Sequence, residues 1–211
     1  MMEAYDRMNQ ELIAQIVAQE WAMFNDVQNA GGRASCQNNP REFEIMRSSQ
    51  LKTWSEDVLQ SYLHDLTSAA YTGRNMLTEK YAYMMENTHP EEFAQIKQFL
   101  PEVSPEVRVK IDEIVDINLD WQKEADEKYP NLRAKGRPLT SKEDTAYETS
   151  FETYLRGELK TYSAETIMRL HAYTLACLEK HYNMAIANLQ NMIGQYGYAS
   201  LEDANEKMAG R

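Results

Sequence analysis

Apolar side chains recur at intervals of three and four along most of this chain, the spacing of one face of an α-helix. In residues 3–28 the pattern is carried by Leu12, Ile13, Ile16, Val17, Met23, Phe24 and Val27. A polar stretch with two glycines and a proline follows at residues 29–40, which predicts a loop. Asn39 followed by Pro40 then predicts a helix start, because Asn caps helices and Pro suits their first position.

The same periodicity predicts helices along the rest of the chain, which makes the fold class all-α. They cover about residues 41–72 (one helix or two), 76–87, 91–100 and 106–127, with a short helix after Ser200. Residues 130–138, with two prolines and a glycine, predict a second loop. Residues 142–190 hold no proline and one glycine, Gly157, and predict one long helix or two that meet there. Alternating β-branched segments between hairpin turns are nearly absent.

A segment of the first half of the chain recurs in the second. Residues 43–55 read FEIMRSSQLKTWS and residues 151–163 read FETYLRGELKTYS, with six of thirteen positions identical. Similar pairs flank both copies in the same order: Glu20-Trp21 and Asp120-Trp121, Gly32-Arg33 and Gly136-Arg137, Ala70-Tyr71-Thr72 and Ala172-Tyr173-Thr174, Glu79-Lys80-Tyr81 and Glu179-Lys180-His181. We therefore expect an internal duplication, a helical bundle of two pseudo-symmetric halves at about residues 1–100 and 106–211. A merged core would make residues 1–211 a single domain.

Charge and apolar content narrow the classes of partner. A net charge of -11 argues against nucleic acid and against an anionic membrane surface, both of which need clustered Lys and Arg. No apolar segment approaches the roughly 20 residues that cross a bilayer, and the first residues do not resemble a signal peptide. Cys36 and Cys177 are too few for a disulfide framework. These features predict a cytoplasmic protein and do not indicate its oligomeric state.

Residues 25–39 contain most of the candidate chemistry. Amides and a guanidinium, from Asn25, Asn29, Arg33 and Gln37, are suited to hold a carboxylate or phosphate. The alternative is a solvated loop whose Asn and Gly residues form turns and caps. Cys36 is a candidate nucleophile, although a buried inert thiol is the alternative, because no His is near in sequence.

The repeated segment supplies the remaining candidates. Arg47, Arg156 and Glu158 would line a cleft between the halves, or else form a structural ion-pair network. Glu158 or Glu20 is the predicted acid–base group, because a carboxylate near arginines can be tuned for proton transfer. Arg156 and Glu158 are two residues apart, so they share a site only if the helix breaks at Gly157. Cys177 and His181 are too few to hold a metal, and no cofactor or metal is expected.

Several motifs resemble an uncharacterised bacterial family catalogued as domain of unknown function 4125. They are Glu20-Trp21, Gly31-Gly32-Arg33, Cys36-Gln37, Met46-Arg47, the segment at residues 149–159 and Tyr196-Gly197-Tyr198. The resemblance covers most of the chain and implies a bacterial source, but no activity. Two functions stay open: an intracellular enzyme acting on a small polar or anionic metabolite in a cleft between the halves, and a non-catalytic helical interaction protein with an acidic surface.

Overall fold

The computed structural model describes residues 2–28, 32–133 and 136–209, and helices make up 76% of the structure. The described residues form eleven helices: α1 (Met2–Asn25), α2 (Pro40–Leu51), α3 (Glu56–Tyr71), α4 (Met76–Thr88), α5 (Pro90–Ile96), α6 (Pro105–Lys128), α7 (Pro130–Arg133), α8 (Phe151–Leu159), α9 (Ala164–Glu179), α10 (Met184–Gln195) and α11 (Leu201–Met208). Short 3-10 turns lie at Ser35–Asn38, Lys97–Phe99 and Ser141–Glu143. The described residues contain no strand, which confirms the all-α prediction.

Side-chain caps fix several of the predicted helix starts. The Asn39 side chain accepts a hydrogen bond from the Glu42 amide, and Pro40 occupies the first turn of α2. Ser104 caps α6 in the same way through the Val107 amide. These local signals explain why both starts could be predicted from the sequence.

The expectation of one long helix at residues 142–190, or of two that meet at Gly157, is wrong, because the segment forms a loop with a 3-10 turn and then the three helices α8, α9 and α10. The breaks come at capping residues, where the Ser163 side chain accepts from the Thr166 amide and Asn183 from the Ala185 amide. Gly157 lies inside α8 and does not interrupt it. A Cβ built there would lie 2.8 Å from Met84 Cγ and 3.0 Å from the Lys80 carbonyl oxygen. The glycine therefore allows close packing of α8 on α4.

Two further segments contain helix boundaries that the sequence left open or missed. Residues 41–72, predicted as one helix or two, form the two helices α2 and α3, separated by a turn at residues 52–55. The predicted loop at residues 130–138 includes the short helix α7, which packs against α11. Short helices of this kind depend on tertiary contacts, since isolated turns of helix are unstable in water.

The core lies where the long helices cross. α3 packs against α9, α4 against α8, and α2 against α10, while α1 covers α2 and α3 and α6 covers α8, α9 and α10. Deeply buried apolar side chains come from both halves of the sequence and include Ile16, Leu51, Val58, Leu66, Ile114, Val115, Leu159 and Ile167. In the described part of the chain, no helix combines the length and the apolar content needed to span a bilayer.

Candidate functional site

A cluster of charged and phenolic side chains is buried where five helices meet, and we call it the buried charge cluster. Its members are Glu20 of α1, Arg47 of α2, Tyr62 of α3, Lys80 of α4, Glu158 of α8 and Tyr162, which follows α8. Glu20 is 0% and Glu158 4% exposed. Charged side chains this deep require partners for every charge.

Arg47 joins the two carboxylates of the cluster. Its Nε lies 2.8 Å from Glu20 Oε2 and its Nη2 2.5 Å from Glu20 Oε1, a two-point contact suited to the planar guanidinium. The same Nη2 lies 3.1 Å from Glu158 Oε1, and Nη1 donates to Gln50 Oε1 at 2.7 Å. Arg47 thus links α1 and α2 to α8.

Lys80 neutralises the second carboxylate from the opposite side. Its Nζ lies 2.6 Å from Glu158 Oε2 and 3.5 Å from the centre of the Tyr154 ring. The guanidinium carbon of Arg137 lies 4.7 Å from the same ring centre. The Tyr154 ring therefore contacts both a buried and an exposed cation.

Two tyrosines complete the hydrogen bonding of the carboxylates. Tyr62 donates its hydroxyl to Glu20 Oε1 and Tyr162 donates to Glu158 Oε1, both at 2.7 Å. The ring centres lie 4.6 Å apart, and Trp54 packs edge-on against both rings. Burial raises the pKa of Tyr62 and of Tyr162, and the neighbouring carboxylates raise it further, so both hydroxyls stay protonated as donors.

The balance of effects on Glu158 defines the chemistry of the cluster. Burial would raise the pKa of Glu158, but the charges of Arg47 and Lys80 outweigh burial and lower it to about 2. Two carboxylates face two cations, so the cluster is neutral. The arrangement is an enclosed, hydrogen-bonded ion-pair network that ties five helices together.

The predicted site residues of the first loop contact one another and not the buried charge cluster. Arg33 Nη2 donates to Asn25 Oδ1 at 2.5 Å and to the Gln37 carbonyl at 2.6 Å, and Arg33 Nε donates to Asn38 Oδ1 at 2.9 Å. Gln37 is buried. Its side-chain Nε2 donates to the Phe24 and Val27 carbonyls at 2.8 and 3.1 Å, and its side-chain Oε1 accepts from the Ala34 backbone amide. These bonds hold the loop against the end of α1.

Replacing Gln37 with alanine is expected to lower the free energy of unfolding by about 1–2 kcal/mol, because buried backbone groups lose their partners. Chemical denaturation measures the change. Gln98→Ala, an exposed amide, is the control and should have little effect. An equal change in both variants would contradict the structural role assigned to Gln37.

The remaining predicted site residues are Arg156, Cys36 and Asn29. Arg156 pairs with Asp112 of α6 and with Glu152, whereas Glu158 points into the core, so the unbroken helix keeps the two on different sides. The thiol of Cys36 is exposed, so the expectation of a buried thiol is wrong. Asn29 lies outside the described residues. The catalytic and binding roles of the nine residues stay predictions.

Sequence reasoning missed Lys80, Tyr62 and Tyr162 as members of the cluster. Lys80 and Tyr162 stand in the repeated segments, so the repeat was a signal for their position. Their pairing with carboxylates depends on how α3, α4 and α8 cross, which the periodicity of each helix does not specify.

A cavity lies between α4, α5, α6 and the end of α8, and we call it the anion cavity. It has a volume of about 490 Å³ and is lined by Tyr83, Glu86, Phe93, Lys97, Gln98, Leu100, Pro101, Glu102, Val103, Arg108 and Lys160. A second, more apolar cavity of about 430 Å³ lies against α1 and α2. None of the eight described predicted site residues lines either cavity.

Potential metal ligands are scattered. Among the described residues, no group of three or more His, Cys, Asp or Glu side chains is arranged to hold a metal ion. Cys177 is buried in α9, and His181 follows the end of that helix in a left-handed backbone conformation with φ of 53°. The two residues therefore do not share one regular helical face.

Its architecture makes this an all-helical protein built around an enclosed ion-pair cluster. The chain belongs to the family described as protein of unknown function DUF4125, whose sequence model matches residues 10–206. Neither a curated protein nor a solved structure gives a significant match. Family membership thus agrees with the resemblance carried by the sequence motifs and assigns no activity.

Proposed function

We propose that the protein binds a small anionic metabolite in the anion cavity. The observation that carries the proposal is the charge of the cavity wall. Three cations, Lys97, Arg108 and Lys160, face two carboxylates there, although the whole chain has a net charge of -11. A cationic cavity on an acidic protein attracts small anions and repels polyanions that must approach the whole surface.

The cavity also provides hydrogen-bond donors and a volume suited to a small ligand. Arg108 Nε donates to the Val103 carbonyl at 2.9 Å, which leaves other guanidinium nitrogens to contact a ligand. Lys160 contacts Glu86 and lies 5.6 Å from the Tyr83 ring. A volume near 490 Å³ is in the range of known ligand pockets.

The anion cavity lies between helices from both parts of the chain. α4 and α5 belong to residues 1–100, whereas α6 and α8 belong to residues 106–211. We further infer that these parts are duplicated halves. α3 and α9 each contain 16 residues and begin 108 residues apart, after Ser55 and Ser163; α4 and α10 also begin 108 residues apart, after Asn75 and Asn183.

Catalysis is the second part of the proposal. Glu86 is a carboxylate on the cavity wall, paired with Lys160 and open to solvent, so it can exchange a proton with a bound ligand. Glu20 and Glu158 are enclosed and already paired, which favours Glu86 as the acid–base group. An intracellular bacterial enzyme of this kind would lose turnover, but keep binding, on Glu86→Gln substitution.

Thermal stabilisation by inorganic phosphate and by citrate tests the binding proposal, with sodium chloride at equal ionic strength as reference. A ligand at about 100 times its Kd adds about 2.7 kcal/mol, which corresponds to a rise in Tm of about 5–10 °C. Arg108→Gln should abolish the rise, because it removes a cation from the cavity. Lys123→Gln, an exposed cation elsewhere on α6, is the matched control.

These melting temperatures distinguish specific anion binding in the cavity from a general effect of ionic strength. Equal stabilisation of the wild type, Arg108→Gln and Lys123→Gln by every anion would contradict the proposal.

A non-catalytic interaction protein is the second candidate, and it is favoured by an exposed apolar face on α9.

A further inference from the structure

The outer face of α9 carries an exposed apolar stripe, formed by Met168, Ala172, Leu175 and Leu178. Met168, Leu175 and Leu178 are 51%, 39% and 45% exposed. The intervals of four, three and three residues place all four side chains along one side of the helix. Single exposed apolar residues are common, but a continuous row marks a surface for contact.

The equivalent face of α3 shows that this apolar row is not required by the fold. α3 has the same length as α9, and the matching positions are Gln60, His64, Thr67 and Ala70, all exposed. Three of these four side chains are polar. The helix that packs against α9 in the core is therefore polar at three of the four positions where α9 is apolar.

We propose that this stripe, the α9 surface, docks onto the α9 surface of a second copy of the same chain, with the two helices antiparallel. A two-fold pair of this kind buries the same apolar row from both copies. The α9 surface is separate from the anion cavity, which lies at α4, α5, α6 and α8.

Charge on the flank of the stripe specifies both the partner and the orientation. Arg169 and Glu179 lie on the same side of the row, five residues before and five residues after Thr174 along the helix. In an antiparallel pair centred at the level of Thr174, Arg169 of one copy lies beside Glu179 of the second copy, and the contact occurs twice. Opposite charges that match across a surface favour this partner and register.

The net charge of the region supports contact between two copies. Glu165, Arg169, Glu179 and Lys180 carry two negative and two positive charges, so the flanks of the stripe are neutral. Two chains of net charge -11 repel each other over most of their surface. The α9 surface combines apolar area with zero net charge, which makes it a favourable place for a second copy to approach.

Sedimentation velocity of the full chain tests the proposal. We expect a dimer in the wild type and at least a tenfold higher dissociation constant in Leu175→Gln. Thr67→Gln, the matching position on α3, is the control and should dimerise like the wild type. Because Leu175 is partly exposed, the variant should keep the helical content of the wild type, and Met168→Gln provides an independent second variant.

Charge exchange tests the orientation. Arg169→Glu and Glu179→Arg should each weaken the dimer, whereas the double variant should restore it, because the opposite charges again face each other. A wild type that stays monomeric up to about 100 μM overturns the proposal. Dimerisation that survives both Leu175→Gln and Met168→Gln also overturns it, and failure of the double variant to recover overturns the antiparallel register.

Discussion

Replacing Glu158 with glutamine is expected to lower the free energy of unfolding by about 3–5 kcal/mol, the largest effect of any single substitution considered. The substitution leaves Arg47 and Lys80 with only Glu20 to balance them, so the buried charge cluster gains an unpaired positive charge. Denaturant unfolding measures the change. Glu165→Gln, an exposed carboxylate paired with Arg169 at the helix surface, is the control, with an expected effect below about 1 kcal/mol.

Replacing both Glu158 and Lys80 is expected to lower the free energy of unfolding by less than the sum of the two single substitutions. In Glu158→Gln combined with Lys80→Met, the remaining Arg47 and Glu20 again balance. A double-mutant cycle should therefore give a coupling of about 1–3 kcal/mol. Additive effects would mean that the two side chains do not act as a pair, and unchanged stability in Glu158→Gln would favour a catalytic role over the structural one.

The contribution of Glu158 should also depend on pH. Its pKa is about 2 in the folded chain and about 4.5 when unperturbed, so the unfolded chain takes up the proton first as the pH falls. The stability that ionised Glu158 provides is thus fully present above about pH 4.5 and is lost as the pH falls towards 2. The difference between wild type and Glu158→Gln should shrink over this range, and a constant difference would contradict the assigned pKa.

Replacing Gly157 with leucine is expected to destabilise the protein by about 3 kcal/mol, because α8 lies too close to α4 for a large side chain. Even a Cβ at this position would lie 3.0 Å from the Lys80 carbonyl oxygen, and backbone cannot move aside as a flexible side chain can. The helices would separate at the point where Lys80 and Glu158 pair. Thermal and denaturant unfolding measure the loss.

Gly194→Ala is the matched control for this substitution. Gly194 also lies within a helix, α10, but a Cβ there has no neighbour within 4 Å. Alanine favours helix over glycine by about 1 kcal/mol, so this variant should be neutral or slightly more stable. Similar destabilisation by both substitutions would show that helix propensity, and not the contact with α4, explains the effect at Gly157.

The anion cavity and the α9 surface can be tested independently of each other and of the buried charge cluster. Arg108 and Leu175 lie on different helices, and neither belongs to the buried charge cluster. Loss of anion binding in Arg108→Gln with an intact dimer would support the cavity alone. Loss of the dimer in Leu175→Gln with intact anion binding would support the α9 surface alone.

Local patterns were sufficient to predict the helical class, several helix starts and the membership of the family. Asn39-Pro40 and Ser104-Pro105 act through hydrogen bonds within a few residues, so they can be recognised in the sequence. The motifs around Arg33, Cys36 and Gln37 resembled the family whose model matches residues 10–206. The repeat also drew attention to Arg47 and Glu158, which do meet in the structure.

Tertiary packing decided which side chains share a site, because helical periodicity gives the face of a residue but not the helix that it meets. Arg33 turns to its own loop, Arg156 turns to Asp112, and only Arg47 reaches both Glu20 and Glu158. The role of Gly157 could not be predicted for the same reason. The sequence alone suggests a helix break at this glycine, whereas in the structure the nearby backbone of α4 leaves no room for a side chain there. The positions of Lys80 and of the cavity cations likewise follow from helix crossings between distant parts of the chain.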